Sequence, residues 1–548
     1  MRIRKLALAI TLCISSLAPL TATALDLTNA TIAELNTAFA DGSLSAEALT
    51  AAYLARIAAY DQKGPKINSV IYINPKALAE AKALDAERAA GNIRGPLHGI
   101  PIVLKDNYDT IDMPTTAGSQ LLDGSIPPDD AFVVKKLRDA GAIIIAKVNL
   151  SEWAGGGGSV SGATDPEVIK NGRVPNGFST QGGQTLNPHD LTRGPSGSSG
   201  GTGAAVAAVF AQFGLGTDTA ASVRGPASAN GTFGLKTTHG LVSRDGVVPL
   251  ALSFDTVGPL ARNTYDLAMA LNVLVGIDPA DDSTLKSAGR VPTDYTTFLK
   301  TGSLKGARIG IARDFFGQDK DIDAVLEKAI AKLKSLGAII VDDVRIPPPV
   351  LAARGPLYNT IRSAEFKSQI GDYLATTDAK YPKTIYDLAA LANNPKTKYR
   401  SPGKALGLKY QAETSLELDD PVYIAATHQG MDYIHAAMEG LFANYKLAAL
   451  LYPTSPTPIA LVKLPDEVPA RGEGGNSPLN IANITGFPDL VVPAGMSKLG
   501  LPVTFSLMGR AFSEGRLLSF AYDYEQATQA ITLPVNTPTL ASDQLTKD

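Results

Sequence analysis

The sequence predicts an α/β fold, a single large domain in which a mixed central β-sheet is flanked by α-helices. Three observations carry this. Apolar runs of strand length alternate with amphipathic stretches of helix length. No polar linker separates the early strands from the late ones, so both sets are expected in one sheet. With 548 residues, 45% of them hydrophobic and 19% charged, the chain is large enough for an extensive core.

Taken in order, the chain opens on Arg2, Arg4 and Lys5, an apolar stretch from Leu6 to Leu20, and Ala22-Thr23-Ala24. That is the pattern of a cleaved secretory signal over residues 1–24, leaving residues 25–548 as the mature domain. Ser15, Ser16 and Pro19 interrupt the stretch, which is too short to span a bilayer comfortably. The single cysteine, Cys13, lies within it, and Leu12 before it does not suit a lipoprotein site. The mature chain would then have no disulfide, thiolate ligand or cysteine nucleophile, and a periplasmic or secreted location is expected.

Thr31–Ala40 and Ser45–Tyr60 read as helices, the second with Ser45 as its N-cap. Pro75 opens a third helix and Gly91 closes it. "GIPIVLKD" reads as a strand, "DAFVVKKLRDAG" as a helix, "AIIIAKV" as a strand and "AAVAAVFAQF" as a helix before "GLGTDT". Later, "ARIGIARD", "DIDAVLEKAIAKLKSLG" and "AIIVDDV" give strand, helix and strand. A helical cover follows over about 355–447, and the chain returns to strands at "LAALLYP", "DLVVPAG" and "LPVTFSLMG" before a helix from Glu514. The Gly- and Pro-rich loop from Gly155 to Pro188 is long enough to suggest a functional role.

A net charge of −3 gives no reason to expect nucleic acid or an anionic membrane as partner. The five histidines, His98, His189, His239, His428 and His435, offer no general base on a late loop. The stretch "GPSGSSGGTGAAVAAVF", residues 194–210, is more telling. A flexible linker would not run straight into an apolar helix, and a Walker loop needs a lysine that is missing. Gly197–Gly201 matches G-x-S-x-G with Ser199 at the nucleophile position, yet no buried strand leads into it.

Two other stretches bear on its role. Lys105 ends the apolar strand "GIPIVLKD", where low-dielectric surroundings would disfavour its charged form. The turn "GTDTAASVRGPAS" carries Ser222, with the N–H groups of Thr219, Ala220, Ala221 and Ser222 free to converge on an anion.

Together with "KVNLSEWA", "FGLKTTHGLVSRDGVVPLALSFDTVGPLARN" and the late "NITGFPDLVVPAG…LPVTFSLMGRAFSEGRLLSFA", these stretches resemble the amidase signature family over most of the mature chain, with a signature core at about 95–275. The resemblance implies the amidase signature fold and acyl transfer by a Ser-cisSer-Lys triad. It places the nucleophile on Ser222, the bridging serine with its cis peptide bond on Ser198 and the base on Lys105. It also implies an oxyanion hole at Thr219, Ala220, Ala221 and Ser222, a substrate-facing backbone at Ala154, and supporting roles for Ser199, Asp218 and Arg224. Ala220-Ala221 stands where the family usually has glycine at one or both positions, which predicts an intact but sterically stricter oxyanion hole.

Within the family the motifs "GGQTLNP" and "GLVSRDGVVPLALSFDTVGPLA" look most like those of bacterial peptide amidases. The implied function is hydrolysis of a linear carboxamide, such as a peptide C-terminal amide, through an acyl-enzyme. The alternatives are an aryl-acyl amide, ester or carbamate hydrolase and, in another class, a catalytically silent periplasmic binding protein. No cofactor and no metal are implied. The expected partner is a small-molecule or peptide amide, with no stable membrane association after signal cleavage, and the chain is expected to be a monomer or homodimer.

Overall fold

Eleven strands form one mixed sheet in the computed structural model, which describes residues 25–155, 171–172, 174–462 and 479–545. The expected signal segment lies outside the described residues, as does part of the 155–188 loop. In chain order the strands are β1 (Val70–Ile73), β2 (Pro101–Lys105), β3 (Ile143–Val148), β4 (Phe213–Asp218), β5 (Phe233–Lys236), β6 (Thr256–Ala261), β7 (Arg308–Ala312), β8 (Ile339–Val344), β9 (Ala449–Pro453), β10 (Asp489–Met496) and β11 (Pro502–Met508). Across the sheet they run β8-β7-β9-β11-β10-β5-β6-β4-β2-β3-β1. The chain's early and late strands thus share one sheet, as expected.

The register decides where chemistry can be placed. Strand β2 lies parallel to both β3 and β4, pairing Lys105 with Val148 and Leu104 with Leu215. Three segments therefore leave the sheet on the same side. These are the ends of β2 at Lys105, of β3 at Val148 and of β4 at Asp218. Such a crevice beyond the carboxyl ends of parallel strands is where open α/β sheets bind ligands. All three strands are buried along their whole length, which explains why β2 and β3 read as near-continuous apolar runs and not as alternating ones.

The helices α1 (Ile32–Ala40), α2 (Ala46–Tyr60), α3 (Ala77–Ala89) and α4 (Phe132–Asp139) follow the sequence closely. Thr31 and Glu34 form a capping box, and Ser45 accepts the N–H of Ala48. The next helix departs from expectation. It spans Gly200–Ala207 (α5) and not the "AAVAAVFAQF" stretch, starting four residues earlier and stopping before Phe210. The cause is tertiary. A β-carbon at Gly203 would come within 2.8 Å of Asn230 and 2.9 Å of Pro226 in helix α6 (Arg224–Asn230), so the crossing of α5 and α6 needs glycine despite its poor helix propensity.

Helices α7 (Thr264–Leu274) and α8 (Lys320–Ser335) pack on the sheet. The helical cover begins at Pro348, earlier than expected, with the 28-residue helix α9 (Pro348–Ala375), whose exposed Pro356 does not end it. Helices α10 (Ile385–Ala392) and α11 (Pro402–Thr414) follow. One end of α9, with Val350 and Ile361, joins a core cluster containing Ala251 and Phe254, against which Ala221 packs. The other end, with Phe366 and Ile370, joins a second cluster containing Trp153, Ala154 and Leu250.

Candidate active site

Lys105 is fully buried at the end of β2. Its Nζ lies 2.8 Å from Ser198 Oγ and 2.7 Å from Thr217 Oγ1. Burial pushes the amine down to about 7, against the opposing pull of Asp255 and Asp218. A lysine so placed holds a substantial neutral fraction at neutral pH and can accept a proton.

Ser198 follows a cis peptide bond from Gly197. Its carbonyl accepts the N–H of Ser151 at 2.9 Å, tying the segment to the end of β3. The glycine at 197 has a local reason, since a β-carbon there would collide with Ser151 Oγ and lie 3.1 Å from Asn176. Gly197 and Gly201 together make room for Asn149, Ser151, Ser69 and Asn176, so the segment is wedged against the end of β3.

Ser199 joins the two serine segments. Its N–H donates to the carbonyl of Ser222 at 3.1 Å, and its hydroxyl lies 3.2 Å from both the N–H and the carbonyl of Thr217. It also precedes the first residue of α5. The elbow reading of Ser199 is therefore not what its contacts support, since its N–H and hydroxyl are engaged in tying the Ser222 turn and strand β4 together.

Ser222 lies in the turn between β4 and α6 and is 9% exposed. Among the described residues its hydroxyl makes no hydrogen bond, including none to Ser198, and the N–H groups of Thr219, Ala220, Ala221 and Ser222 find no acceptor. Thr219 and Ser222 are buried and Ala220 and Ala221 half-buried, so these four adjacent donors and the hydroxyl beside them lie at the edge of the core. They form an arrangement that can receive a developing oxyanion. Neither Ala220 nor Ala221 adopts a positive φ, so the β-carbons that replace glycine at these positions carry no left-handed strain.

The turn is held from beneath by a buried ion network. Arg224 Nε and Nη2 each lie 3.0 Å from an oxygen of Asp218, and its Nη1 lies 2.6 Å from Asp489 Oδ2. The same guanidinium donates to the carbonyls of Ala220 at 2.9 Å and Leu479 at 2.7 Å, and to Asn483 Oδ1 at 2.6 Å. Burial alone would raise Asp218, yet Arg224 and Asn483 hold it down to about 2. Asp218 also accepts the N–H of Val223 at 3.0 Å, bending the chain immediately after Ser222.

Ala154 stands beyond the end of β3 in a tight turn, with φ of 53°. It lines a cavity of about 10 Å³ together with Thr217, Thr219, Leu250 and Asp255. The turn follows the end of β3 that Ser151 ties to Ser198. The turn is anchored through Glu152, whose carboxylate accepts the N–H of Thr180 at 2.8 Å and the hydroxyl of Tyr399, while its carbonyl accepts from Lys404 Nζ at 3.0 Å.

Two residues at the site escaped the sequence reading. Thr217 receives Lys105 and also accepts from Asn107 Nδ2 at 3.1 Å. Asp255 accepts the Thr219 hydroxyl at 2.5 Å and the N–H groups of Leu250 and Ala251 at 2.8 and 3.0 Å. Burial pushes its carboxyl up to about 6, although Thr219 and those two N–H groups oppose the rise. Thr217 needs the β2–β4 register to be seen. Asp255 was visible within "LSFDTVGPLA" but carries no local pattern that separates it from a structural turn acid.

His98, His189, His239 and His435 each place a ring nitrogen 2.9 to 3.1 Å from a backbone carbonyl. Those ring nitrogens are spent on backbone structure.

Comparison with known proteins gives the family and the fold. The family described as Amidase matches residues 48–518. Peptide amidase from Stenotrophomonas maltophilia superposes with a TM-score of 0.83 at 36% identity, covering 93% of this chain and 99% of that one. An amidase family protein from Bacillus anthracis gives a TM-score of 0.80 at 32% identity over 93% and 92% of the two chains. In sequence, a glutamyl-tRNA(Gln) amidotransferase subunit from Caldanaerobacter subterraneus is 35% identical over 517 residues, 92% of this chain and 97% of its own.

Proposed function

This chain belongs to the amidase family, and from that membership we propose that it hydrolyses a linear carboxamide through a Ser222 acyl-enzyme, with a peptide C-terminal amide as the preferred class. The observation that carries the proposal is the presence of three groups at one end of the sheet: a buried amine 2.8 Å from Ser198 and, without hydrogen-bond partners among the described residues, the Ser222 hydroxyl and the four adjacent N–H donors of Thr219–Ser222.

In the first half-reaction neutral Lys105 takes the Ser198 proton as Ser198 takes that of Ser222. The Ser222 oxygen forms a bond to the amide carbon. The carbonyl oxygen becomes the oxyanion, facing the N–H groups of Thr219–Ser222. Return of the proton through Ser198 to the nitrogen breaks the carbon–nitrogen bond and releases ammonia. Water then attacks the acyl-enzyme with Lys105 again taking the proton, which restores Ser222 and frees the acid. The Ser198-to-Ser222 link has to form when substrate is bound, as catalytic hydrogen bonds often do.

The peptide-amide class is supported by the likeness to the Stenotrophomonas peptide amidase at 36% identity and by the export pattern over residues 1–24. That pattern favours a periplasmic or secreted hydrolase over a role in an amidotransferase complex. Ammonia release from peptide amides, with anilides and carbamates as competitors, tests the reading. The expected result is the fastest turnover on peptide amides and covalent labelling of Ser222 by a fluorophosphonate. Folded protein that neither labels nor releases ammonia would instead be a binding protein built on this fold.

The pH profile is a second expected outcome. Lys105 acts as base only when neutral, and its amine is pushed down to about 7. Protonation below that value removes the base, so kcat/KM is expected to fall about tenfold per pH unit on the acid side. A profile that stays flat down to about pH 5 would exclude an amine with this setting from the rate-limiting step.

A further inference from the structure

Helix α9 presents one stripe toward the loop Leu250–Phe254. Tyr358 packs its ring 5.3 Å from that of Phe254, Glu365 accepts the N–H of Ser253 at 3.0 Å, and Gln369 accepts the N–H of Leu252 at 2.9 Å. Arg362 belongs to this stripe, one turn after Tyr358 and close to one turn before Glu365. It is only 4% exposed, and among the described residues its sole hydrogen bond is a 3.4 Å contact to the neighbouring Ser363 hydroxyl. Glu365 does not pair with it, because that carboxylate is taken by Ser253 and the Tyr423 hydroxyl.

A second buried cation is close enough to interact with it. Lys404 on α11 is 3% exposed and, among the described residues, uses its ammonium on one acceptor, the carbonyl of Glu152. Burial pushes the Lys404 amine down to about 8, Glu152 opposes this, and Arg362 adds to the fall. Along α9, Arg362 follows Ile361 of the cluster touching Ala221 and precedes Phe366 of the cluster containing Ala154. Buried guanidinium groups are costly unless paired, and nothing among the described residues pairs this one.

We infer that Arg362, assisted by Lys404, receives a carboxylate of the substrate, so that the enzyme prefers amides bearing an anionic group near the scissile bond. The inference rests on the proposed amide-hydrolase reading. On that reading the leaving group is ammonia, so the carboxylate belongs to the acyl part, as in a peptide amide ending in glutamate. A planar guanidinium suits such a group by paired hydrogen bonds.

Binding to the Ser222→Ala protein tests this without requiring turnover. Calorimetry with N-acetylglutamate α-amide and N-acetylmethionine amide, which are similar in length, is expected to show the acidic ligand binding at least about tenfold more tightly. Adding Arg362→Gln should erase that preference, and Arg362→Glu should transfer it to N-acetyllysine amide. Equal affinities, tighter binding of the methionine amide, or no binding of any of the three would overturn the inference. Loss of labelling and ammonia release in the unmodified protein would instead remove the hydrolase reading, which the calorimetry does not use.

Discussion

Replacing Lys105 by alanine is expected to lower kcat/KM by about 10²- to 10⁴-fold while the protein stays folded. The amine has two hydrogen-bonding neighbours, Ser198 and Thr217, and both are hydroxyls. Its removal strips the relay of its only amine base and leaves a pocket that a water can occupy. Lys105→Arg should not restore the rate, since a guanidinium remains protonated throughout the working pH range. Steady-state kinetics beside a thermal-unfolding curve make the comparison. An alanine variant that retained more than roughly a tenth of the wild-type rate would mean that the proton leaves Ser198 by another route.

The largest expected effect on stability falls on Arg224. In Arg224→Met the carboxylates of Asp218 and Asp489 lose their common partner inside the core, and the Ala220, Leu479 and Asn483 acceptors lose their donor. Breaking a buried pair from one side costs about 3–5 kcal/mol. Arg224→Lys is expected to recover little, because an ammonium cannot meet Asp218 in a fork while also reaching Asp489. Chemical denaturation of the three proteins at neutral pH provides the measurement. Wild-type stability in the methionine variant would contradict the network's structural role, and full recovery by lysine would contradict its dependence on guanidinium geometry.

Much of this arrangement was legible in the sequence because its parts obey local rules. An apolar run ending on one lysine, a turn of small residues and a glycine-rich helix start each announce themselves within about ten residues. The strands β5 and β6, "FGLK" and "TVGPLA", do not. They are buried on both faces and carry glycine or proline, so no alternation marks them and composition speaks against a strand. The start of α5 at Gly200 was hidden for a similar reason, since packing against α6 overrides propensity there. Thr217 illustrates a further limit. Its partner Lys105 is 112 residues away, and only the parallel pairing of β2 with β4 makes the two neighbours. The freedom of Arg362 is a property of what surrounds it, and its own stretch "NTIRSAEF" reads as an ordinary helix.

Helix α9 gives the fold a division of labour. Every group assigned to bond making and proton movement lies between Lys105 and Ser222, on or beside strands that register holds in place, whereas Arg362 sits on one rod that reaches two core clusters. A single helix can therefore be exchanged or resurfaced as a cassette. Transplanting residues 348–375 from a relative with other preferences should carry that relative's substrate range across, with the proton relay left as it stands. Diversification of such a protein would then proceed by rewriting its selector while its reactor stays fixed.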